Sequence, residues 1–196
     1  MRRVLGLHSL VSRHERVSAL GHAGATVWLT GLPAAGKTTL ASALERDLLE
    51  HGRPAYALDG DEIRRELCRD LGFDRESRAE NVRRVAHIAR MLADSGVIAI
   101  VALVSPFAAD RRRARELHDE ADLRFIEVFL DTPVDLCQKR DPKGLYAQAR
   151  TGQLTGLTGA GGAYERPEHP DVRLEPGTVE LSVQRVRDAL SSAHII

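Results

Sequence analysis

The chain has 196 residues, 43% hydrophobic and 29% charged, and its 28 basic and 28 acidic side chains cancel to a formal net charge of zero. That length suits one domain with a substantial core. The balanced charge excludes a global field that would draw the chain to nucleic acid or to an anionic membrane, and no apolar run approaches the roughly 20 residues that cross a bilayer.

The first 24 residues are charged at their head but interrupted by His8, Ser12, Arg13, His14 and Glu15. They read as a polar lead-in segment rather than a secretory signal, with one domain over 25–196. "TVWLT" (26–30) is β-branched and aromatic and reads as a buried strand. "KTTLASALERDLLEH" places Leu40, Ala43, Leu44 and Leu48 on one helical face, with Gly52 and Pro54 as stop signals. "AYALDGD" (55–61) reads as a short strand ending in acids, and "DEIRRELCRDLG" and "ESRAENVRRVAHIARMLADSG" as helices. "VIAIVALVSPF" (97–107) has the unbroken apolarity of a central parallel strand. A helix "ADRRRARELHDEA", a strand "RFIEVFL" (124–130) and a helix "TPVDLCQKR", opened by Thr132 with Pro133 at its first position, follow. Residues 141–171 are rich in Gly, Pro and Thr without periodicity, as expected of a mobile functional loop, and a helix over about 178–192 closes the chain. Strand alternating with helix predicts an α/β three-layer sandwich, a parallel sheet with helices on both faces. Cys68 and Cys137 make no disulfide framework, so both are expected as buried thiols in a reducing cytoplasm.

"GLPAAGKTT" (31–39) satisfies G-x-x-x-x-G-K-[ST] through Gly31, Gly36, Lys37 and Thr38, between a strand and a helix. Glycines let successive backbone N–H groups face a phosphate at the positive end of the helix. Lys37 would reach the β- and γ-phosphates, and the Thr38 hydroxyl would ligate Mg²⁺. Leu32, Pro33, Ala34 and Ala35 leave the loop open to phosphate, and Thr39 continues it. Only three of the 28 basic residues are lysines, Lys37, Lys139 and Lys143. This is the nucleoside-triphosphate cradle of a P-loop NTPase. No guanine-reading N-K-x-D is present, and the strongest apolar strand runs into Ser105-Pro106-Phe107 rather than an acid. A small-molecule kinase remains, needing an acceptor pocket and a lid. Asp59 and Asp61 end a strand and can hold the metal's waters or take a proton from an acceptor hydroxyl; the alternative is a strand-end turn with a helix N-cap, which Asp61 would suit well, and Gly60 between them permits a tight turn. Arg64, Arg78 and Asn81 suit an oxygen-rich anion, and Phe73 suits a base. The four arginines of "DRRRARELH" read as a solvated helix face, and the eight histidines show no metal-ligand spacing and read as surface or lid residues.

At "DGDEIR", "LGFDRESRAENVRR", "SPF", "RDPKGLY" and "LTG…YERPEHPD" together, over about 22–190, the chain resembles adenylyl-sulfate kinases. That family phosphorylates the ribose 3′-hydroxyl of adenosine 5′-phosphosulfate with ATP, giving 3′-phosphoadenosine 5′-phosphosulfate. The resemblance implies that residues 31–38 bind ATP and that Asp59 and Asp61 serve metal and acceptor hydroxyl. It implies that Arg64, Arg78 and Asn81 hold phosphosulfate and ribose, that Phe73 stacks on the adenine, and that Val104, Ser105 and Phe107 line its pocket. Ser105 matches a serine described as a phosphoserine intermediate, although direct in-line transfer is the simpler route. Lys143, Gly144 and Leu145 would contact the substrate, and Arg150 would lie in a lid over about 141–171 that excludes water. Leu157 stands where many members carry an aromatic; it gives the adenine a wall without stacking, a loss of about 1 kcal/mol. A homodimer and association or fusion with ATP sulfurylase are implied as well. The rivals are a P-loop kinase acting on another small alcohol and a non-catalytic nucleotide-binding partner; the second would want Lys37 or the aspartates lost, and all are present.

Overall fold

The computed structural model describes residues 11–196, so the first ten residues of the expected lead-in, with His8, lie outside the described residues. In chain order the elements are α1 (Arg13–Leu20), β1 (Ala25–Thr30), α2 (Lys37–Glu50), β2 (Ala55–Asp59), α3 (Gly60–Arg65), α4 (Arg75–Asp94), β3 (Ile98–Ala102), α5 (Ala108–Asp119), β4 (Arg124–Leu130), α6 (Val134–Arg140), α7 (Leu145–Arg150), β5 (Leu157–Thr158), β6 (Gly161–Gly162), β7 (Val172–Leu174) and α8 (Val179–Ser192).

The main sheet has the order β2-β3-β1-β4-β7, and every pairing in it is parallel. Alternation along each strand sends side chains to two separate cores. Val27, Leu29, Ile98, Ile100 and Val128 pack with Leu40, Leu44 and Leu48 of α2 and Val186 and Leu190 of α8. Trp28, Val101 and Phe125 point the other way, against Val82, Val85 and Ala89 of α4 and Ala114 of α5. Helices therefore cover both faces, and the expected three-layer architecture holds. Fully covered strands have no polar face, which is why β1 and β3 read as continuous apolar runs.

Several elements differ from the sequence reading. The first helix after β2 ends at Arg65 instead of reaching Gly72, because the chain turns where the Cys68 N–H bonds Ile63 O and the Leu71 N–H bonds Cys68 O. The apolar run 97–107 stays in the sheet only to Ala102. Thr132 does not open α6: its hydroxyl donates to Ala35 O at 3.1 Å, and Pro133 holds the cap position. The stretch 141–171 contains α7 and the β5–β6 pair, and β7, absent from the sequence reading, follows it on the sheet edge. The arginine-rich helix is not wholly solvated: Asp110 and Arg111 of α5 are both buried. His118 is fully buried as well; its Nδ1–H donates to Ala114 O, leaving Nε2 to accept from the Thr26 hydroxyl. Cys68 and Cys137 are free and buried, as expected.

Candidate active site

The C-terminal ends of the strands open into one cleft of about 1010 Å³, at the edge where parallel α/β sheets bind ligands. The cradle forms its floor. Gly31 (φ 153°) and Gly36 (φ 103°) take backbone conformations that an L side chain rarely adopts, and at Gly31 a Cβ would also lie 2.9 Å from Leu130 O. Ala34 occupies the left-handed region at φ 62° without being glycine. The Lys37 ammonium folds back to donate to Gly31 O at 2.9 Å and Leu32 O at 2.8 Å. Burial lowers its pKa to about 8, only partly opposed by the neighbouring Cys137 and Asp59, because a desolvated ammonium loses the water that stabilised its charge.

Thr38 Oγ1 donates to Asp59 Oδ2 at 2.7 Å, while Asp59 Oδ1 accepts from the N–H groups of Asp61 at 2.9 Å and Glu62 at 3.4 Å. Asp59, not Asp61, is thus the cap of α3. Gly60 is the first helical residue, and its requirement is close packing rather than a turn: a Cβ there would meet Leu103 Cδ2 at 2.7 Å and Ala102 O at 2.9 Å. The Asp61 carboxylate is exposed and pairs with the Lys143 ammonium.

The opposite wall is built by α3, α4 and the end of β3. Phe73 is 67% exposed, with the Arg64 guanidinium 4.6 Å and that of Arg78 5.7 Å from its ring centre. Arg64 donates to Gly72 O at 2.7 Å, and Arg78 to Phe73 O at 2.7 Å and to Gly156 O at 3.4 Å. Burial lowers the pKa of both guanidinium groups, and for Arg78 the nearby Arg64 adds to it. Neither makes an ion pair among the described residues, and the Asp74 carboxylate only partly offsets their charge, so the wall carries two cations without a direct partner. Asn81 lines the same wall at 4% exposure, and its Oδ1 is buried with no hydrogen-bond partner. Ser105 is 3% exposed at φ 38°, and its Oγ accepts from Trp28 Nε1 at 3.1 Å.

Of the residues expected at a site, Pro33 to Thr39, Asp59, Asp61, Arg64, Phe73, Arg78, Asn81, Val104, Ser105, Lys143, Leu145 and Leu157 line this one cleft. Gly31 and Leu32 lie under it, as acceptors of Lys37. Phe107, Gly144 and Arg150 are not in the lining: Phe107 carries the Arg75 guanidinium 4.0 Å from its ring centre, and Arg150 ends α7 exposed. The sequence reading missed Thr132 and Arg140 beside the cradle and the Glu175–Val179 segment across from them. It also missed Tyr146, fully buried, whose hydroxyl donates to Pro33 O at 3.2 Å and so ties α7 to the cradle.

A family model for adenylylsulphate kinase matches residues 23–175. The chain belongs to that family. It is 45% identical over 191 residues to the adenylyl-sulfate kinase of Saccharomyces cerevisiae, covering 96% of this chain and 95% of that protein. It is 49% identical over 186 residues to the bifunctional enzyme CysN/CysC of Mycobacterium tuberculosis, covering 94% of this chain but only 30% of the relative's length. Among solved structures it is similar to the Mycobacterium tuberculosis APS kinase CysC in complex with AMPPNP and APS, with a TM-score of 0.85 and 48% identity over 87% of this chain and 99% of that one.

Proposed function

We infer that this family member uses ATP to phosphorylate the ribose 3′-hydroxyl of adenosine 5′-phosphosulfate, giving 3′-phosphoadenosine 5′-phosphosulfate for sulfate assimilation. The observation that carries the reading is the pairing, across one cleft, of the cradle with a wall bearing two arginines that form no ion pair among the described residues, an exposed ring and a buried amide oxygen without a partner. A nucleotide with a phosphosulfate tail supplies anionic oxygens, a base face and hydroxyls to those groups.

In this mechanism the triphosphate lies on the backbone N–H groups of residues 33–38, and Lys37 exchanges the Gly31 and Leu32 carbonyls for phosphate oxygens. Thr38 and Asp59 present hard oxygens 2.7 Å apart beside the cradle. An oxygen pair of this kind suits Mg²⁺ that keeps most of its ligands from the nucleotide's phosphates and water. When bound there, Mg²⁺ would neutralise charge on the transferring group. Asp59 already accepts three hydrogen bonds, two from the backbone, which hold its carboxylate beside the cradle on the metal side. Asp61 is the freer carboxylate; released by Lys143, it accepts the proton of the 3′-hydroxyl as that oxygen attacks the γ-phosphorus in line and ADP leaves. Arg64 and Arg78 hold the phosphosulfate, Asn81 the ribose, and Phe73 and Leu157 flank the adenine. Ser105 shapes the wall without carrying the phosphoryl group, because its oxygen already accepts the Trp28 N–H and no base among the described residues is hydrogen-bonded to it. The segment 141–171 acts as the lid, seated through Tyr146.

The test is ADP release, coupled to an indicator enzyme, with adenosine 5′-phosphosulfate against a panel of sugar and nucleoside alcohols. Turnover with adenosine 5′-phosphosulfate and not the others is expected; turnover only with a non-nucleotide alcohol would refute the reading. The match to one part of a bifunctional relative supports association with a sulfurylase, and a homodimer is proposed with it. Two free buried thiols support a cytoplasmic setting; among the described residues no helix is long and apolar enough to cross a membrane.

A further inference from the structure

The turn that ends the acceptor wall is held by its carbonyls. Thr30 Oγ1 donates to Val104 O at 2.8 Å, Arg111 Nη1 to Ser105 O at 2.7 Å, and the Glu165 N–H to Pro106 O at 2.8 Å. Three successive carbonyls are thus bound by three different segments. Ser105 sits between them at φ 38°, a conformation that persists in a non-glycine residue only where its surroundings over-determine it.

Arg111 is the centre of this knot. It is 3% exposed, and besides Ser105 O it donates from Nε to Glu127 Oε1 on β4 at 2.7 Å and from Nη2 to Glu165 O at 2.8 Å. Its guanidinium carbon lies 5.9 Å from the centre of the Tyr164 ring, and the Tyr164 hydroxyl is 3.0 Å from Thr30 Oγ1. Thr30 gives its one hydroxyl hydrogen to Val104 O, so Tyr164 is the donor of that pair. Glu165 closes the circuit by accepting the Ala108 N–H, at the first residue of α5, at 2.7 Å. Residues 141–163 form a strap tied to the cradle through Tyr146; Tyr164 and Glu165 stand where it rejoins the body, and Thr30 directly precedes Gly31 of the cradle.

We propose that Arg111 is a positioning residue for the acceptor half of the cleft. It fixes the Ser105 turn and ties that turn to the root of the strap, so that seating the strap and shaping the acceptor wall become one event. Arg111 itself touches no ligand. Its task needs a planar fork, because three acceptors from three segments are spread around its plane, and a lysine's point charge satisfies only part of such a set. The inference rests on the reading of this cleft as an adenosine 5′-phosphosulfate site.

Arg111→Lys and Glu127→Gln separate positioning from mere burial of an ion pair. Glu127→Gln keeps both carbonyl bonds of Arg111; it should lower the melting temperature yet leave both KM values within about twofold of wild type, since only the paired charge is lost. Arg111→Lys should raise the KM for adenosine 5′-phosphosulfate roughly tenfold, the equivalent of one charged hydrogen bond, with the KM for ATP within about twofold. Tyr164→Phe, which leaves the buried pair intact, should show a smaller split of the same sign and serves if Arg111→Lys does not fold. Equal rises in both KM values, or equal effects of the Arg111 and Glu127 variants, would overturn the assignment while leaving the functional reading standing. A wild-type chain inactive on adenosine 5′-phosphosulfate would overturn both.

Discussion

Lys37 should make nucleotide affinity depend on pH in a window that the structure specifies. The free protein holds this ammonium in a desolvated position where its pKa falls to about 8. Triphosphate oxygens favour the charged form, so the bound state has the higher pKa. A group whose pKa rises on binding contributes affinity that is fully present below its free-state value and is lost as pH climbs above it. With a free-state value of about 8, the charged fraction falls about tenfold between pH 7 and pH 9, and affinity should fall by the same factor. Proton uptake gives an independent reading: binding should take up about half a proton at pH 8 and most of one at pH 9. Calorimetric titration of a non-hydrolysable ATP analogue, in two buffers of different ionisation enthalpy, measures both quantities. Starting at about pH 7 leaves little of the phosphate's own ionisation, with a second pKa of about 6, inside the window. Lys37→Arg, which does not titrate there, should flatten the profile relative to its own affinity at pH 7. Constant wild-type affinity through pH 9, or an identical decline in Lys37→Arg, would refute the assignment of Lys37 as the titrating phosphate contact.

Asn81→Leu should stabilise the ligand-free protein by about 1 kcal/mol by removing a buried oxygen without a partner, and raise the acceptor KM; thermal melts and initial rates test the opposed effects. Asp61→Asn should cut kcat by roughly 10² to 10⁴, the range of general-base loss, whereas Asp59→Asn, which can still cap α3, should chiefly raise the Mg²⁺ concentration required. Ser105→Ala should keep kcat within about tenfold and cost about 1 kcal/mol of stability through the orphaned Trp28 N–H; a loss beyond about a thousandfold, with phosphoserine detected by mass spectrometry in the wild type, would restore Ser105 as a nucleophile. Gly159→Ala should loosen the strap by about 1–2 kcal/mol, because Gly159 has φ 86° and a Cβ there would lie 3.1 Å from Leu32 and 3.2 Å from the Tyr146 hydroxyl. Limited proteolysis within 141–163 reads that loosening.

The cradle and the strands were legible because each carries a local signal. Glycines at fixed spacing mark Gly31 and Gly36, and a strand covered on both faces must be apolar throughout, as Val27–Leu29 and Ile98–Val101 are. What escaped notice was set by distant partners. Strand β7 is three residues in a Gly- and Pro-rich stretch, and only its register with Val128–Leu130 makes it a strand. Thr132 follows β4, Arg140 ends α6 and Glu175–Val179 runs from the end of β7 into α8, with no spacing in the chain to join them. Arg111 and Asp110 sit among exposed arginines, and charge alone reads as solvent. The available sign was Glu127, a carboxylate on the α5 side of a strand whose other residues after Arg124 are apolar, which needs a cation opposite it. Asp61 was the wrong cap because both aspartates suit the position, and the choice depends on where β2 stops.

Satisfaction, more than burial, separates scaffold from site in this fold. Asp110, Arg111 and His118 are all buried, and each is hydrogen-bonded by a neighbouring element. They stabilise a fixed geometry and gain nothing from a ligand directly. Lys37 leans on two carbonyls at a depressed pKa, Arg64 and Arg78 repel one another across an exposed ring, and Asn81 carries an orphaned oxygen. Each of these groups is poorly satisfied in the ligand-free protein, and the orphaned oxygen of Asn81 alone costs about 1–3 kcal/mol. Scattered at random they would be defects; all four instead line one cleft, on facing sides. Such costs are relieved together only by a ligand that brings anionic oxygens to both sides and a polar group to Asn81. Two nucleotides meeting at their phosphate-bearing ends meet that demand, and an uncharged alcohol beside ATP would leave the arginine side unrelieved.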